Sequence, residues 1–373
     1  MVRPLVYLCV CLVVSTTVLH KTAVALSYEG VTDALIKRVT GQREKLAVIS
    51  TDHNDVMNHS KYHNYTEMME MLRTVERRNP DLMTLRELPN RTYEERAVKM
   101  VELHGNSSQA GDPPKPAVVI EAGIHAREWI SPAVNLWVVD ALIQGYRKGD
   151  PNITAMLDNS DWYIIPVTNP DGYEFSHKED RMWRKNRRDI RWYCKGVDLN
   201  RNFDVEFSTT DVSNRCWEEI YPGDQPFSEP ESFNVKYLVE NLQHRLVAYV
   251  SVHSYSQVIL IPWGYSTDLP KPPNFNETLR IGREMASAME VRHGKVYRTG
   301  QAPDVLGYAS SGTSEDWVMK AVPGIFAVGI ELRPAAFGNF TFEAFELEEE
   351  QIVPTAEEYF DGLVAMAKEL QLI

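Results

Sequence analysis

The sequence is poor in positive charge. In 373 residues, 39 Lys and Arg face 52 Asp and Glu, a formal net charge of −13. A chain of this balance presents no basic face to a phosphate backbone, which excludes a nucleic-acid binder, and its field suits a cationic ligand better. Internal repeats and low-complexity blocks are missing too, and 43% hydrophobic with 24% charged residues is ordinary globular composition. Disorder, collagen-like and adhesive repeat architectures are thereby excluded. There is no second long apolar run. The one present, Leu5–Leu19, follows Arg3 and leads into Ala23-Val24-Ala25. A basic start, a short apolar stretch and a small-residue exit predict a secretory signal peptide over residues 1–25, with no membrane span after its cleavage.

Cysteine is scarce as well. Of four, Cys9 and Cys11 fall in the leader, leaving Cys194 and Cys216. Two cysteines in an oxidising compartment suit one disulfide; two free buried thiols are the other reading. Abundant instead are N-x-S/T sequons, at Asn58, Asn64, Asn90, Asn106, Asn152, Asn276 and Asn339. They argue for the secretory route, an extracellular destination and surface placement of these sites.

Residues 26–60 are polar and weakly patterned. From Tyr62 the spacing of Met68, Met69, Leu72 and Val75 predicts a helix that ends before Pro80. Short apolar runs follow at Ala117–Ile124, Trp162–Val167, Leu246–Val252, Val258–Ile261 and Ile325–Leu332. They are continuous rather than alternating, as in strands covered on both faces. Helical patterns separate or follow them at 131–148, 229–243, 275–293, 313–321 and 351–371, with Ser131-Pro132 as a cap and first turn. The fold class expected is α/β: a mixed, largely parallel twisted sheet sandwiched between helices in one domain.

In such sheets chemistry collects beyond the carboxyl ends of strands. Three runs end in polar groups: His125-Ala126-Arg127-Glu128, His253-Ser254-Tyr255 and Glu331-Leu332-Arg333. His125, Glu128 and His253 together make a two-His, one-carboxylate set, which suits catalytic zinc because it leaves a position for water. Glu331 then reads as a general base for that water, or otherwise as a partner of Arg333. Asn200-Arg201 can bind a carboxylate, Arg as a bidentate fork and Asn as an added donor, or can belong to an ordinary loop. The basic stretch Arg181–Arg188 offers an electrophilic arginine or a solvated loop.

Taken together, Gly123–Ile130, Asn169-Pro170-Asp171-Gly172-Tyr173, Arg181–Lys185, Val197–Phe203, Val252–Gln257 and Phe326–Arg333 resemble the ordered boxes of the secreted zinc metallocarboxypeptidases of the carboxypeptidase A/B family. The resemblance runs from about Tyr62 to the C-terminus. It implies one Zn2+ held by His125, Glu128 and His253, with Glu331 as base and acid and Arg184 polarising the scissile carbonyl. It assigns the substrate's terminal carboxylate to Asn200 and Arg201, a closing role to Tyr308, an entry-path contact to Arg127, and a disulfide to Cys194 and Cys216. The implied partners are peptides or proteins with a free C-terminus, met by a monomer. The resemblance puts Glu315, with Gly264 and Leu260, at the pocket that selects the departing residue. An acid there implies Lys or Arg ends, and an A-like or mixed preference is the alternative, since the usual acid is Asp. A non-catalytic peptide-binding homologue would lack a ligand or Glu331, and every slot is filled. Residues 26–61 are too few for the family's inhibitory prodomain, so the expectation is a short extension before a catalytic domain at 62–373.

Overall fold

From Met83 onward apolar strand runs alternate with amphipathic helices, and the chain assembles the strands into one eight-stranded sheet. The computed structural model describes residues 56–105, 113–268, 270–335 and 341–373. The expected leader, nearly all of the N-terminal extension and the sequons Asn106 and Asn339 lie outside the described residues. The helices are α1 (Tyr65–Arg78), α2 (Ile130–Arg147), α3 (Pro151–Asn159), α4 (Pro170–Lys178), α5 (Pro230–Leu242), α6 (Phe275–His293), α7 (Ala302–Val305), α8 (Ser314–Ala321) and α9 (Ile352–Glu369). The strands are β1 (Met83–Arg91), β2 (Ala97–Leu103), β3 (Ala117–Ala122), β4 (Asp161–Ile165), β5 (Asp189–Arg191), β6 (Cys194–Lys195), β7 (Leu246–Ser256), β8 (Val258–Ile261), β9 (Arg298–Gln301) and β10 (Phe326–Ala335).

The sheet runs in the order β1-β2-β4-β3-β7-β10-β8-β9. Its centre, β4-β3-β7-β10, is parallel, while β1 and β2, β2 and β4, and β10 and β8 pair antiparallel. This is the mixed, largely parallel sandwich expected. All six residues of β3 are buried, which explains the unbroken apolar run: helices cover both faces. One layer joins α9 to α2 and α6. Opposite it, Val235, Leu238 and Val239 of α5 and Trp317 and Val318 of α8 share an apolar cluster with Val119, Tyr249 and Ala327. Helix α1 follows its predicted pattern, burying Met68, Met69, Leu72 and Val75, with the Asn64 side chain accepting from Glu67 N at its start.

Several details differ from the sequence reading. Strands β1, β2, β5, β6 and β9 and the short helices α3, α4 and α7 escaped it. In β1 the half-exposed pattern and Pro89 mask the strand, as befits a sheet edge. Strands β7 and β10 also run past their apolar stretches, so His253 and Glu331 sit within them rather than after them. Finally, Ser131 does not cap α2. The helix starts at Ile130, and the Ser131 hydroxyl donates back to the Glu128 carbonyl at 3.0 Å.

The packed chain begins ahead of Tyr62. Met57 is buried, and His59 pairs with Asp140 at 3.1 Å. Among the described sequons, Asn58 and Asn276 are exposed and Asn64, Asn90 and Asn152 half-buried. Cys194 and Cys216 are joined in a disulfide with their Cα atoms 5.7 Å apart, which decides between the two readings left open above. This bond closes the loop that carries Asn200 and Arg201. Replacing both cysteines by serine should lower stability by about 3 kcal/mol through the entropy returned to the unfolded chain, read as a lower thermal midpoint.

Candidate active site

The site is built by strand register. Glu331 of β10 lies directly opposite His253 of β7, and Ala122, the last residue of β3, opposite Val252. The chain after β3 therefore turns over the end of β7, carrying His125 and Glu128 to His253. His125 Nδ1 lies 2.8 Å from Glu128 Oε1 and 3.2 Å from His253 Nδ1, and His253 Nδ1 is 3.2 Å from Glu128 Oε2. All three side chains are buried, and their ligand atoms face one another.

The far side of each ring is held too. His125 Nε2 lies 3.2 Å from Asp198 Oδ1, and His253 Nε2 lies 2.8 Å from Ser251 Oγ. With Nε2–H donated to these acceptors, each Nδ1 turns its lone pair inward, as a metal ligand does. Ser251 passes its own proton to Glu121 Oε1 at 2.8 Å, and Ser314 Oγ (2.9 Å) and Thr168 Oγ1 (2.8 Å) also donate to Glu121. Two imidazole nitrogens and a carboxylate converging in a dry space fit a divalent cation of zinc's preferences and leave room for a fourth ligand.

Electrostatics follow from burial and neighbours. Burial opposes the charge on Glu128, but His125 and His253 outweigh it and hold the carboxyl below its ordinary range. Burial likewise opposes Asp198, and Arg184, then His125, keep it well below. Glu331 is different: burial, then the charge of Glu128, push its carboxyl up. Its Oε2 is buried without a hydrogen-bond partner. The alternative partner Arg333 is taken up by Glu358, through Nε at 2.9 Å and Nη2. Arg184 reaches Asp198 Oδ2 at 3.0 Å and has Nη1 3.6 Å from Glu128 Oε1.

Asn200 and Arg201 sit in a single helical turn. Asn200 Oδ1 accepts from Ser314 N at 2.8 Å, which ties the turn to the start of α8. Arg201 donates from Nη2 to Asp211 Oδ2 at 2.7 Å and from Nε to the Asp211 carbonyl at 3.0 Å. Gly312 (φ +73°) lets the chain pass here: a Cβ on it would lie 2.4 Å from the Arg201 carbonyl oxygen. Tyr308 is half-exposed and lines a cavity of about 440 Å3 with Glu331, Ser254 and Tyr255. Arg127 is buried against Phe345, 4.4 Å from the ring centroid, and pairs with Glu219 at 2.6 Å.

Glu315 is buried at the start of α8 and reaches over the sheet. A Cβ on Gly329 would lie 3.4 Å from Glu315 Oε1 and 3.5 Å from Leu260 Cβ, and Gly329 and Leu260 are register partners. The adjacent Asp316 takes the Gly264 N–H on both oxygens at 3.0 and 2.8 Å. Burial, then Glu315, push the Asp316 carboxyl well above its usual range.

The sequence and the fold match a known group. The zinc carboxypeptidase family profile matches residues 68–362. The chain belongs to this family. It is 37% identical over 310 residues to carboxypeptidase A2 of Rattus norvegicus, covering 82% of this chain and 69% of that protein. It is 34% identical over 314 residues to carboxypeptidase B of Astacus astacus, covering 83% of this chain and 97% of that protein. Among solved structures, bovine thrombin-activatable fibrinolysis inhibitor, in complex with a tick carboxypeptidase inhibitor, superposes with a TM-score of 0.74 at 33% identity, over 84% of this chain and 98% of that one. The chain is a metallocarboxypeptidase, similar to relatives named carboxypeptidase A, B and O.

Sequence reasoning overlooked Asp198, Glu121 and Asp211 in this carboxypeptidase. Glu121 had a signal, a lone acid inside an unbroken apolar run. Asp198 stood beside Asn200 in a quoted box but had no role until the fold brought it to His125. Asp211 is an ordinary loop acid. Changing Asp198 to Asn should remove the charge that anchors both His125 and Arg184. Zinc affinity should then fall about 10- to 100-fold, measured by competition with a chelator of known affinity.

Proposed function

We propose that this carboxypeptidase removes single C-terminal residues, preferring Lys and Arg, with Zn2+ held by His125, Glu128 and His253. When bound, zinc acidifies a water molecule and polarises a carbonyl. Arg201, with Asn200, anchors the substrate's free carboxylate, so that only the last peptide bond reaches the reacting centre. Glu331 takes the proton of the attacking water and delivers it to the leaving amine. Its unpartnered Oε2 and its raised affinity for a proton suit both transfers. Arg184 stabilises the oxyanion, itself steadied by Asp198. Tyr308 closes over the substrate from the cavity it shares with Glu331, and Arg127 guides the entering chain.

The observation that carries the preference is the Glu315 carboxylate lying over Gly329 beside Leu260. A glycine on the strand makes room for an acid one methylene longer than Asp. Such a carboxylate on an apolar floor is costly to leave unpaired and suits an ammonium or guanidinium. The leader pattern, the disulfide and the exposed sequons support release from the cell by the secretory route. No helix among the described residues is long and apolar enough to cross a membrane.

Glu331→Gln should lower kcat by about two to four orders of magnitude while zinc content, measured by elemental analysis, stays at one per chain. Removing the metal with a chelator should abolish hydrolysis, and added zinc should restore it. In a panel of peptides ending in Arg, Lys, Phe and Leu, the first two should be cleaved fastest, and Glu315→Ile should reverse the order. Faster cleavage of Phe or Leu ends by the unaltered enzyme would reject the basic preference.

A further inference from the structure

Beside the reaction set lies an exposed aromatic surface that it does not use. Besides the Tyr308 cavity, a second cavity of about 510 Å3 opens on Arg184, and Trp192, Tyr193 and Trp217 line its outer wall. These side chains are 95%, 48% and 61% exposed. Single exposed apolar residues are ordinary, but three large aromatics on one cavity wall form a patch of the kind that marks binding.

The local chain makes the patch deliberate and stiff. β5 and β6 form a two-stranded ribbon with Arg191 opposite Cys194, so its two-residue loop is Trp192-Tyr193. Such loops favour Asn, Asp and Gly, and a Trp-Tyr loop gains nothing for the turn. Tyr193 precedes Cys194 and Trp217 follows Cys216, so the disulfide fixes both beside each other, ring centroids 6.5 Å apart. Trp192 meets Tyr193 edge-on at 5.1 Å. Aromatics held this way lose little freedom on binding.

The occupant follows from continuity. Arg184 belongs to this cavity and, through Asp198, to the His125 ligand shell. Glu219 lines it and pairs with Arg127. A peptide whose terminal carboxylate rests on Arg201 must lead its upstream residues away from the reacting centre, and this opening adjoins it. Arg184, Lys185, Arg187 and Lys195 outnumber Asp180 and Glu219 on the lining, which disfavours cationic upstream residues. We propose that the Trp192–Tyr193–Trp217 wall is an extended subsite that stacks an aromatic side chain of the substrate upstream of the scissile bond. The proposal rests on the exopeptidase reading above.

The test uses the zinc-loaded enzyme and two substrate lengths. A blocked dipeptide, too short to reach the wall, reports the exopeptidase reading by itself. Hexapeptides with the same favoured C-terminal residue carry Phe, Lys or only Gly upstream. The Phe hexapeptide should show a kcat/KM about tenfold above the Gly one, in line with one aromatic stacking contact, and the Lys one no gain. Trp192→Ala/Trp217→Ala should erase the Phe advantage while dipeptide hydrolysis stays within about twofold. Equal kcat/KM for Phe and Gly hexapeptides, or an advantage that survives in the double variant, would overturn the subsite. Calorimetric binding of the same hexapeptides to Glu331→Gln, with and without the two alanines, decides the point even where no substrate is turned over.

Discussion

The parallel register of three central strands governs everything else in this molecule. Because β3, β7 and β10 point the same way, their carboxyl ends lie side by side, and Glu331 falls opposite His253 while the chain leaving β3 folds His125 and Glu128 over them. A slip of one residue in β10 would turn Glu331 to the other face of the sheet. The register is guarded by burial on both sides, since most residues of these strands are buried.

Concentrating charge in such a place is expensive, and the surroundings show how the cost is met. Glu128, Asp198, Glu121 and Arg184 are all buried or nearly so. Each carboxylate accepts from a partner fixed by the fold: Glu128 from the Ser254 N–H, Asp198 from Arg184 and the Asn200 N–H, Glu121 from three hydroxyls. Unpaired buried charges would each cost several kcal/mol. Glu331 is the exception, with an oxygen left unmatched. In the proposed mechanism the partner of that oxygen is the attacking water.

The proposed specificity pocket lies two residues further down the same strands. Glu121, Ser251, Gly329 and Leu260 are register neighbours across four strands. The hydroxyls of Ser251 and Ser314 link that row to the His253 support, and α8 lays Glu315 over the gap that Gly329 leaves. Metal support and pocket floor thus share the same strands. The Asn200–Arg201 turn is tied to α8 through Ser314 and packed on Gly312, which joins the proposed carboxylate anchor to the helix that carries Glu315.

Much of this was legible in the order of residues. Continuous apolar runs announced covered strands, and the polar groups at their ends, His125, Glu128, His253 and Glu331, pointed to one site because such groups are otherwise costly there; the folded chain does bring them together. The edge strands β1 and β9 were not legible, since their half-exposed residues carry no strong period. Nor could spacing join Asp198 to His125, or Glu121 to Ser251 and Ser314, which are 73, 130 and 193 residues apart. Local sequence determines which segments are strands or helices and which residues resist burial, because those are properties of a few neighbouring side chains. Only the folded chain decided which acids face which rings, that Arg201 meets Asp211, and that Glu315 lies over Gly329. Those contacts depend on register and helix placement, which no short stretch contains.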